Sequence, residues 1–256
     1  MEKRSMFVGM DVHKGKSDVL DCGWLRDLHI LGLLRGSFRP ADAIVALRAY
    51  GRHRATLIES TGAIMQRMQK ALVQMNVQLP LVVSDITGVT GLRILRDIVA
   101  GQRDPQHLAQ HRDYRCHASE AEIVAALTGN YRPEHVFVLA QNLELFDQYQ
   151  RQLATCDGAI EAHLLQLTAR VAAPITALPP ARRRQKIRDN EPRFDPHPPP
   201  HLTGVDLSQI DGIGPYNALR LLSEIGTDMT RWTTEKYFTS WLTRWRRRTR
   251  SRAAAS

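Results

Sequence analysis

The apolar residues of the chain recur mainly at helical spacing, and this pattern predicts a mainly α fold. One such stretch covers positions 43–77 and another covers positions 136–167. Helical spacing places apolar side chains on one face of a helix. We therefore predict two long amphipathic helices that return on each other as an antiparallel hairpin or coiled coil. The predicted buried positions are Ile44, Leu47, Leu57, Ile64, Met68, Leu72, Met75, Val136, Leu139, Leu143, Phe146, Leu153, Ile160, Leu164 and Leu167.

Capping residues mark the ends of the predicted helices. Ser17 is a suitable N-cap for a first helix, which Gly32 would end. Pro40 and Pro133 suit the beginnings of the two long helices, because proline is tolerated in a first turn. Gly91 lies in a region that we interpret as a break between helices. Two shorter helices are predicted at 92–100 and 119–127.

Composition divides the chain into five predicted segments. The prolines between 174 and 200 and a neighbouring arginine cluster are typical of an extended or disordered linker. The one convincing strand candidate is the apolar run 6–12, and a lone strand has no partner with which to form a sheet. The segments are 1–38 with this strand, 39–170 with the long helices, 171–204 as the linker, 205–242 as a compact C-terminal segment and 243–256 as a basic tail.

Positive charge is concentrated towards the C-terminus. The 256 residues include 35 Lys and Arg against 26 Asp and Glu, a net charge of +9. Positions 181–194 hold six basic and two acidic residues, and positions 231–256 hold eight and one. Such clusters are typical of nucleic-acid binding, although either one is also compatible with a solvated charge run. The basic residues that we predict to contact nucleic acid are Arg182, Arg183, Arg184, Lys186, Arg244, Arg246, Arg247 and Arg248.

Other features of the composition exclude several classes of protein. No apolar run approaches the roughly 18 residues that a membrane span needs. The apolar stretch at the N-terminus is too short for a signal peptide. The three cysteines are widely spaced and form no CxxC pair, which argues against a disulfide framework or a cysteine zinc site. We therefore expect a cytoplasmic protein that has no membrane partner.

Three aspartates near the N-terminus are candidate metal ligands. Asp11 ends the strand candidate, and Asp18 and Asp21 lie three positions apart at the start of the first predicted helix. That spacing places both carboxylates on one helix face. Converging carboxylates suit Mg²⁺, and paired ions of this kind support phosphodiester chemistry. The spacing alone favours ordinary surface aspartates, of which Asp18 would interact favourably with its helix dipole.

The stretch IDGIGPYNALRLLSE at 210–224 is the second candidate site. Gly212 and Gly214 permit a tight hairpin in which the backbone approaches another molecule closely. A helix that begins near Pro215 would direct free N–H groups at a phosphate. This pattern indicates a helix-hairpin-helix that grips a nucleic-acid backbone without reading its sequence. The plainer alternative is a helical hairpin in which the glycines only allow the turn. Both interpretations predict that Ala218, Leu219 and Leu222 face inward.

The histidines give a weaker signal. His107, His111 and His117 cluster loosely along the chain, but no partner set is evident, so we interpret them as surface residues rather than zinc ligands. His13 follows Asp11 closely and is compatible with a place near a metal or with a place in solvent.

Several stretches together resemble a known family. They are VGMDVHK, KSDVLDCGWLRDLHILGLLRGSFRP, ALRAYGRHRATLI with MQKALVQMN, SDITGVTGLRI and DLSQIDGIGPYNALRLLSEIG. The chain is similar to bacterial transposases of the insertion sequence 110 family, which are DEDD transposases with a RuvC-like N-terminal domain. The resemblance implies that 1–38 is a remnant of this α/β domain and that 205–242 is a partial transposase domain.

The resemblance also implies roles for particular residues. The family's first catalytic aspartate falls on Asp11, and its closing pair falls on Asp18 and Asp21. Enzymes of the family bind a divalent cation, Mg²⁺ or Mn²⁺, and cut and rejoin DNA. Some members use a structured guide RNA. The long helices resemble the family's coiled coil, which implies a homo-oligomer.

The sequence departs from the family between the first two aspartates. A sheet-rich stretch with the catalytic glutamate separates them in the family, whereas Asp11 and Asp18 are seven positions apart here. This spacing predicts an internal deletion. Glu59 in IESTG mimics the glutamate motif, but it follows the aspartate pair instead of preceding it. We interpret the match as a coincidence and keep a rearranged nuclease site with Glu59 as a third option.

The tail is the second departure. Leu242 is followed by TRWRRRTRSRAAAS, where the family continues towards a nucleophilic serine. We interpret the change as a frameshift and a C-terminal truncation, and we assign no serine the role of nucleophile. The alternative is a functional tail, in which Trp241 and Trp245 stack on bases between arginines.

These observations predict a transposase that acts on DNA through metal-dependent strand cleavage and transfer, in a copy that is defective. The alternative is a non-catalytic helical nucleic-acid-binding protein that associates with full-length transposase.

Overall fold

The computed structural model describes residues 18–33, 40–169, 190–196, 202, 206–230 and 232–240. Within these ranges the chain forms helices and turns and no strand, which confirms the mainly α prediction. The strand candidate 6–12 lies outside the described residues. The helices are α1 (Asp18–Ile30), α2 (Asp42–Gln74), α3 (Leu79–Val82), α4 (Val89–Ala100), α5 (Pro105–Ala109), α6 (Glu120–Ala126), α7 (Pro133–Ala169) and α8 (Pro215–Ile225), with a 3-10 helix at Leu207–Gln209.

The contacts within the chain define two compact units. The larger unit covers the described residues of 46–227, and the smaller unit combines those of 1–45 and 228–256. In the smaller unit, α1 begins one residue after its predicted N-cap and ends before Gly32, which has a left-handed φ of +69°. Trp232 and Phe238 pack edge to face there, with ring centroids 5.2 Å apart. Each helix in the described part of the chain is too short or too polar to span a lipid bilayer.

The two long helices of the larger unit lie antiparallel. Leu47 and Leu57, in the first half of α2, share a buried cluster with Ile160 and Leu164 near the end of α7. In the opposite halves, the buried residues of α2 share a second cluster with those at the start of α7. The predicted hairpin is therefore confirmed within the described residues. This second cluster includes Ile64, Met68, Leu72, Met75, Leu139, Leu143 and Phe146.

The three short helices α4, α5 and α6 complete the second cluster. Ile98 of α4, Leu108 of α5 and Ile123 of α6 are fully buried in it. Helix α6 begins at a capping box in which Ser119 and Glu122 exchange hydrogen bonds, as expected for a short helix that needs its first N–H groups satisfied. The hydrogen bonds from Ser119 hold the pKa of Glu122 below its ordinary value.

One predicted boundary is wrong. The sequence predicts a break at Gly91, but this residue lies inside α4, which begins at Val89 after Gly88 as N-cap. A Cβ at Gly91 would lie 2.2 Å from the backbone oxygen of Ile86. The glycine is therefore required because two backbones approach each other closely, not because the chain turns there.

Candidate nucleic-acid interface

The segment 206–214 forms a tight turn that leads into α8. Asp206 caps the 3-10 helix, since its carboxylate accepts hydrogen bonds from the N–H and the hydroxyl of Ser208. Gly212 adopts a left-handed φ of +84°, which side chains rarely tolerate. Gly214 is extended and is the N-cap of α8. Gly212 thus has the positive φ expected of a tight turn, whereas Gly214 does not.

The beginning of α8 presents backbone donors. Pro215 is the first helical residue and has no N–H, and Gly214 offers no side chain to cap the helix. The N–H groups of Tyr216 and Asn217 therefore receive no side-chain cap. Such N–H groups, with the positive end of the helix dipole, form a suitable binding position for an anion.

The other face of α8 is packed on the long helices. Ala218, Leu219 and Leu222 are buried, as the sequence predicts. Leu219 joins the buried cluster that contains Leu47 of α2 and Ile160 of α7. The turn at 210–214 therefore stands on a fixed support.

A buried arginine connects α2, α7 and α8. Arg54 Nε lies 2.5 Å from Asp157 Oδ1, and Arg54 Nη1 donates hydrogen bonds to the Tyr216 hydroxyl at 2.9 Å and to the backbone oxygen of Asn190 at 2.8 Å. Burial alone would lower the pKa of Arg54, but the hydrogen bond to Asp157 and the adjacent charges outweigh burial and hold that pKa above its ordinary value. The guanidinium is therefore a permanent cation that fixes Tyr216 at the N-terminal end of α8.

A second charged link holds the opposite end of α8. The carboxylate of Glu224 is buried and accepts hydrogen bonds from Nε and Nη2 of Arg52, at 2.9 and 2.8 Å. Arg48 lies 3.2 Å from the same carboxylate and also donates to the backbone oxygen of Ser223. Burial lowers the pKa of Arg48, although Glu224 opposes that effect.

Arg220 is the exposed cation closest along α8 to the turn. Its guanidinium carbon lies 5.9 Å from the centre of the Tyr216 ring, one helical turn from the N–H groups described above. An exposed arginine beside backbone donors that no side chain caps suits a phosphate, which accepts from both.

The structure describes some of the remaining predicted site residues and not others. Asp18 and Asp21 lie in the first turn of α1, three positions apart. Glu59 is exposed on α2. Asp11 and the predicted basic contacts lie outside the described residues, and these basic residues are Arg182, Arg183, Arg184, Lys186, Arg244, Arg246, Arg247 and Arg248.

Sequence reasoning missed the ion pair of Arg54 and Asp157, although a signal was present. Arg54 lies seven positions after Leu47, and Asp157 lies between Leu153 and Ile160 on the predicted buried face of α7. Opposite charges at such positions of two antiparallel helices predict a buried pair, because an unpaired charge there would be too costly.

The comparisons with known proteins bear on the same segment. Residues 206–245 match the family model described as Transposase IS116/IS110/IS902 family. No curated protein and no solved structure matches the chain. The match covers the turn, α8 and the residues that follow, and it supports the resemblance to insertion sequence 110 transposases for this part of the chain.

Proposed function

We propose that the chain is a transposase-type protein of an insertion sequence that binds DNA through the turn at 210–214 and α8. The observation that carries this proposal is the family match over residues 206–245. Transposases act on DNA, so a DNA-binding role for a segment of this family is the simplest one.

The geometry of the turn suggests how the DNA backbone is held. A phosphate oxygen would accept from the N–H groups of Tyr216 and Asn217, with Arg220 neutralising its charge. Gly212 and Gly214 leave room for the backbone to approach. These contacts carry no sequence information, so base specificity would come from elsewhere. The basic segments named above add counterion-dependent affinity.

The catalytic part of the proposal concerns the aspartates. Asp18 and Asp21 share the first turn of α1, which suits two oxygen ligands for one divalent cation, and Asp11 would supply a third. Mg²⁺ or Mn²⁺ bound there would supply activation of a water or hydroxyl and stabilisation of the leaving oxygen. Because the family's glutamate is missing between Asp11 and Asp18, we propose that this copy cleaves DNA poorly or not at all.

Further parts of the proposal rest on the resemblance. They are a homo-oligomer held through α2 and α7 as a coiled coil, a structured guide RNA and a cytoplasmic location. Each would follow from a transposase role, and none is needed for DNA binding by α8.

The DNA-binding proposal is tested with the full chain and labelled duplex DNA at several salt concentrations. Arg220→Glu should weaken binding and reduce the slope of log affinity against log salt by about 0.9, the value for one phosphate contact. Arg151→Glu is the matched control, because Arg151 is an exposed arginine on α7. Equal effects of the two substitutions would refute a contact at α8 and leave only non-specific attraction.

A cleavage assay separates the enzyme from a non-catalytic binder. Branched and duplex DNA are incubated with the chain and Mg²⁺ or Mn²⁺, with Asp11→Ala and Asp18→Ala as controls. We expect salt-sensitive binding without cleavage. Cleavage that both substitutions abolish would contradict the proposed defect and establish an active site. Cleavage that Glu59→Ala also abolishes would support the rearranged site, and cleavage that Glu59→Ala leaves unchanged would exclude it.

A further inference from the structure

Three metal-ligating side chains that DNA binding does not use meet beside α4 and α5. Asp97 lies on α4, His107 lies on α5 and His111 follows α5. Asp97 Oδ2 is 2.6 Å from His111 Nε2 and 3.7 Å from His107 Nε2. One potential ligand atom of each residue lies within 4.8 Å of the others. The sequence shows no partner for His107 and His111, and it is the fold that brings Asp97 to them.

The backbones that carry the three side chains are firmly held. Gly101 ends α4 in a left-handed conformation, with φ of +106°, and its N–H donates to the backbone oxygen of Asp97. Asp104 caps α5 by accepting from the N–H of His107, and Leu108 is fully buried. The loop between the two helices is thus fixed at both ends, so the three side chains are brought together by the fold itself.

Two arginines near Asp97 in the sequence interact with other groups. The Arg96 guanidinium lies 3.0 Å from Asp147. Arg103 donates to the backbone oxygen of Ile98 instead. Among the described residues, the side-chain nitrogens that lie within 4 Å of the Asp97 carboxylate are those of the two imidazoles. The group therefore offers two nitrogen donors and one carboxylate oxygen, a set that suits zinc.

We propose that Asp97, His107 and His111 bind a zinc ion. Ligand atoms at about 2.1 Å from a tetrahedral zinc ion lie about 3.4 Å from one another. The two distances to Asp97 lie on either side of this value, and side chains that are 29–47% exposed can rotate to adjust. Three protein ligands leave one position for water. This site is separate from the proposed DNA-binding turn and does not depend on that function.

The competing explanation is a simple hydrogen bond between Asp97 and His111, with His107 as a bystander. The two explanations differ at His107, because its 3.7 Å separation from Asp97 is too long for a hydrogen bond. Zinc binding requires His107, whereas the hydrogen bond does not.

The test is a calorimetric titration of the full chain with zinc chloride. The aspartates near the N-terminus also offer oxygen ligands for zinc. The test therefore measures the zinc binding that is lost when a histidine of the site is replaced. We expect one equivalent whose affinity falls roughly tenfold or more in His107→Ala, His111→Ala and Asp97→Asn. His53→Ala is the control, because His53 is an exposed histidine on α2, and it should bind zinc like the unaltered chain.

A spectroscopic measurement accompanies the titration. Cobalt(II) chloride should give visible absorption typical of tetrahedral coordination in the unaltered chain and in His53→Ala, and this absorption should be lost in His107→Ala. Circular dichroism of each variant checks that it is folded. Zinc affinity that is unchanged in His107→Ala, or the absence of binding to the unaltered chain, would overturn the proposal. DNA affinity measured with a chelator present should be the same in His107→Ala and the unaltered chain, so failure here is distinguishable from failure of the proposed function.

Discussion

Buried charged side chains connect the helices of the larger unit. Arg54 is 3% exposed and Asp157 is 8% exposed. Removing two charges from water is costly, and their mutual attraction repays this cost only when the geometry is good and the remaining hydrogen bonds are satisfied. Arg54 meets that condition through Asn190 and Tyr216. We therefore expect the intact pair to add little net stability and the removal of one partner to be costly.

The first prediction tests this buried pair. Asp157→Ala leaves the Arg54 guanidinium buried without its carboxylate, and we expect the free energy of unfolding to fall by about 3–5 kcal/mol. Urea denaturation followed by circular dichroism measures the change. Asp147→Ala is the control, because it breaks the more exposed Arg96–Asp147 pair and should cost less than about 1 kcal/mol. Similar losses in both variants would show that Arg54 is not held by Asp157.

At the scale of whole elements, two glycines within helices differ in the space that surrounds them. Gly91 in α4 lies against the backbone of Ile86. Gly158 in α7 has nothing within 4 Å of the place where a Cβ would be. The same substitution therefore has opposite signs in the two helices, which composition alone does not reveal.

The second prediction compares the two glycines. Gly158→Ala should raise the free energy of unfolding by up to about 1 kcal/mol, since alanine is the better helix former and meets open space. Gly91→Ala should lower it by about 1–3 kcal/mol, because its Cβ would overlap a backbone oxygen that cannot rotate away. Thermal unfolding of both variants measures the difference. Stabilisation by Gly91→Ala would contradict the close approach of α4 to Ile86.

At the scale of the larger unit, α8 is attached to helices that are distant in sequence. Glu224 contacts Arg52, which lies 172 positions earlier, and Tyr216 contacts Arg54, which lies 162 positions earlier. Each end of α8 is thus held by an arginine of α2. We therefore expect the orientation of the turn at 210–214 to depend on these contacts.

The third prediction concerns the attachment of α8. Glu224→Ala leaves Arg48 and Arg52 without their shared carboxylate, so the end of α8 should open more often. We expect hydrogen exchange of the α8 amides to accelerate about tenfold for each 1.4 kcal/mol lost, with α4 unchanged. Mass spectrometry of peptides after deuteration measures the rates. Glu161→Ala, at an exposed position of α7, is the control, and equal acceleration in both variants would contradict a role for Glu224.

Several elements could be predicted because local chemistry decides them. The long helices follow from apolar periodicity, and their beginnings follow from Pro40 and Pro133. The inward face of α8 and the glycines of its turn follow from spacing as well. Gly91 was misinterpreted because a glycine demanded by close packing looks the same in a sequence as a glycine that ends a helix.

Helix periodicity and capping act over a few residues, so the long helices, their apolar faces and the glycine turn before α8 could be predicted from local sequence. The meeting of distant side chains depends instead on how the helices pack. The pairing of Arg54 with Asp157 spans 103 positions, and the approach of Asp97 to His107 and His111 depends on how α4 and α5 are joined. Contacts of this kind arise when separate helices bury their apolar faces together, and that choice is made by the whole core rather than by any one stretch of sequence.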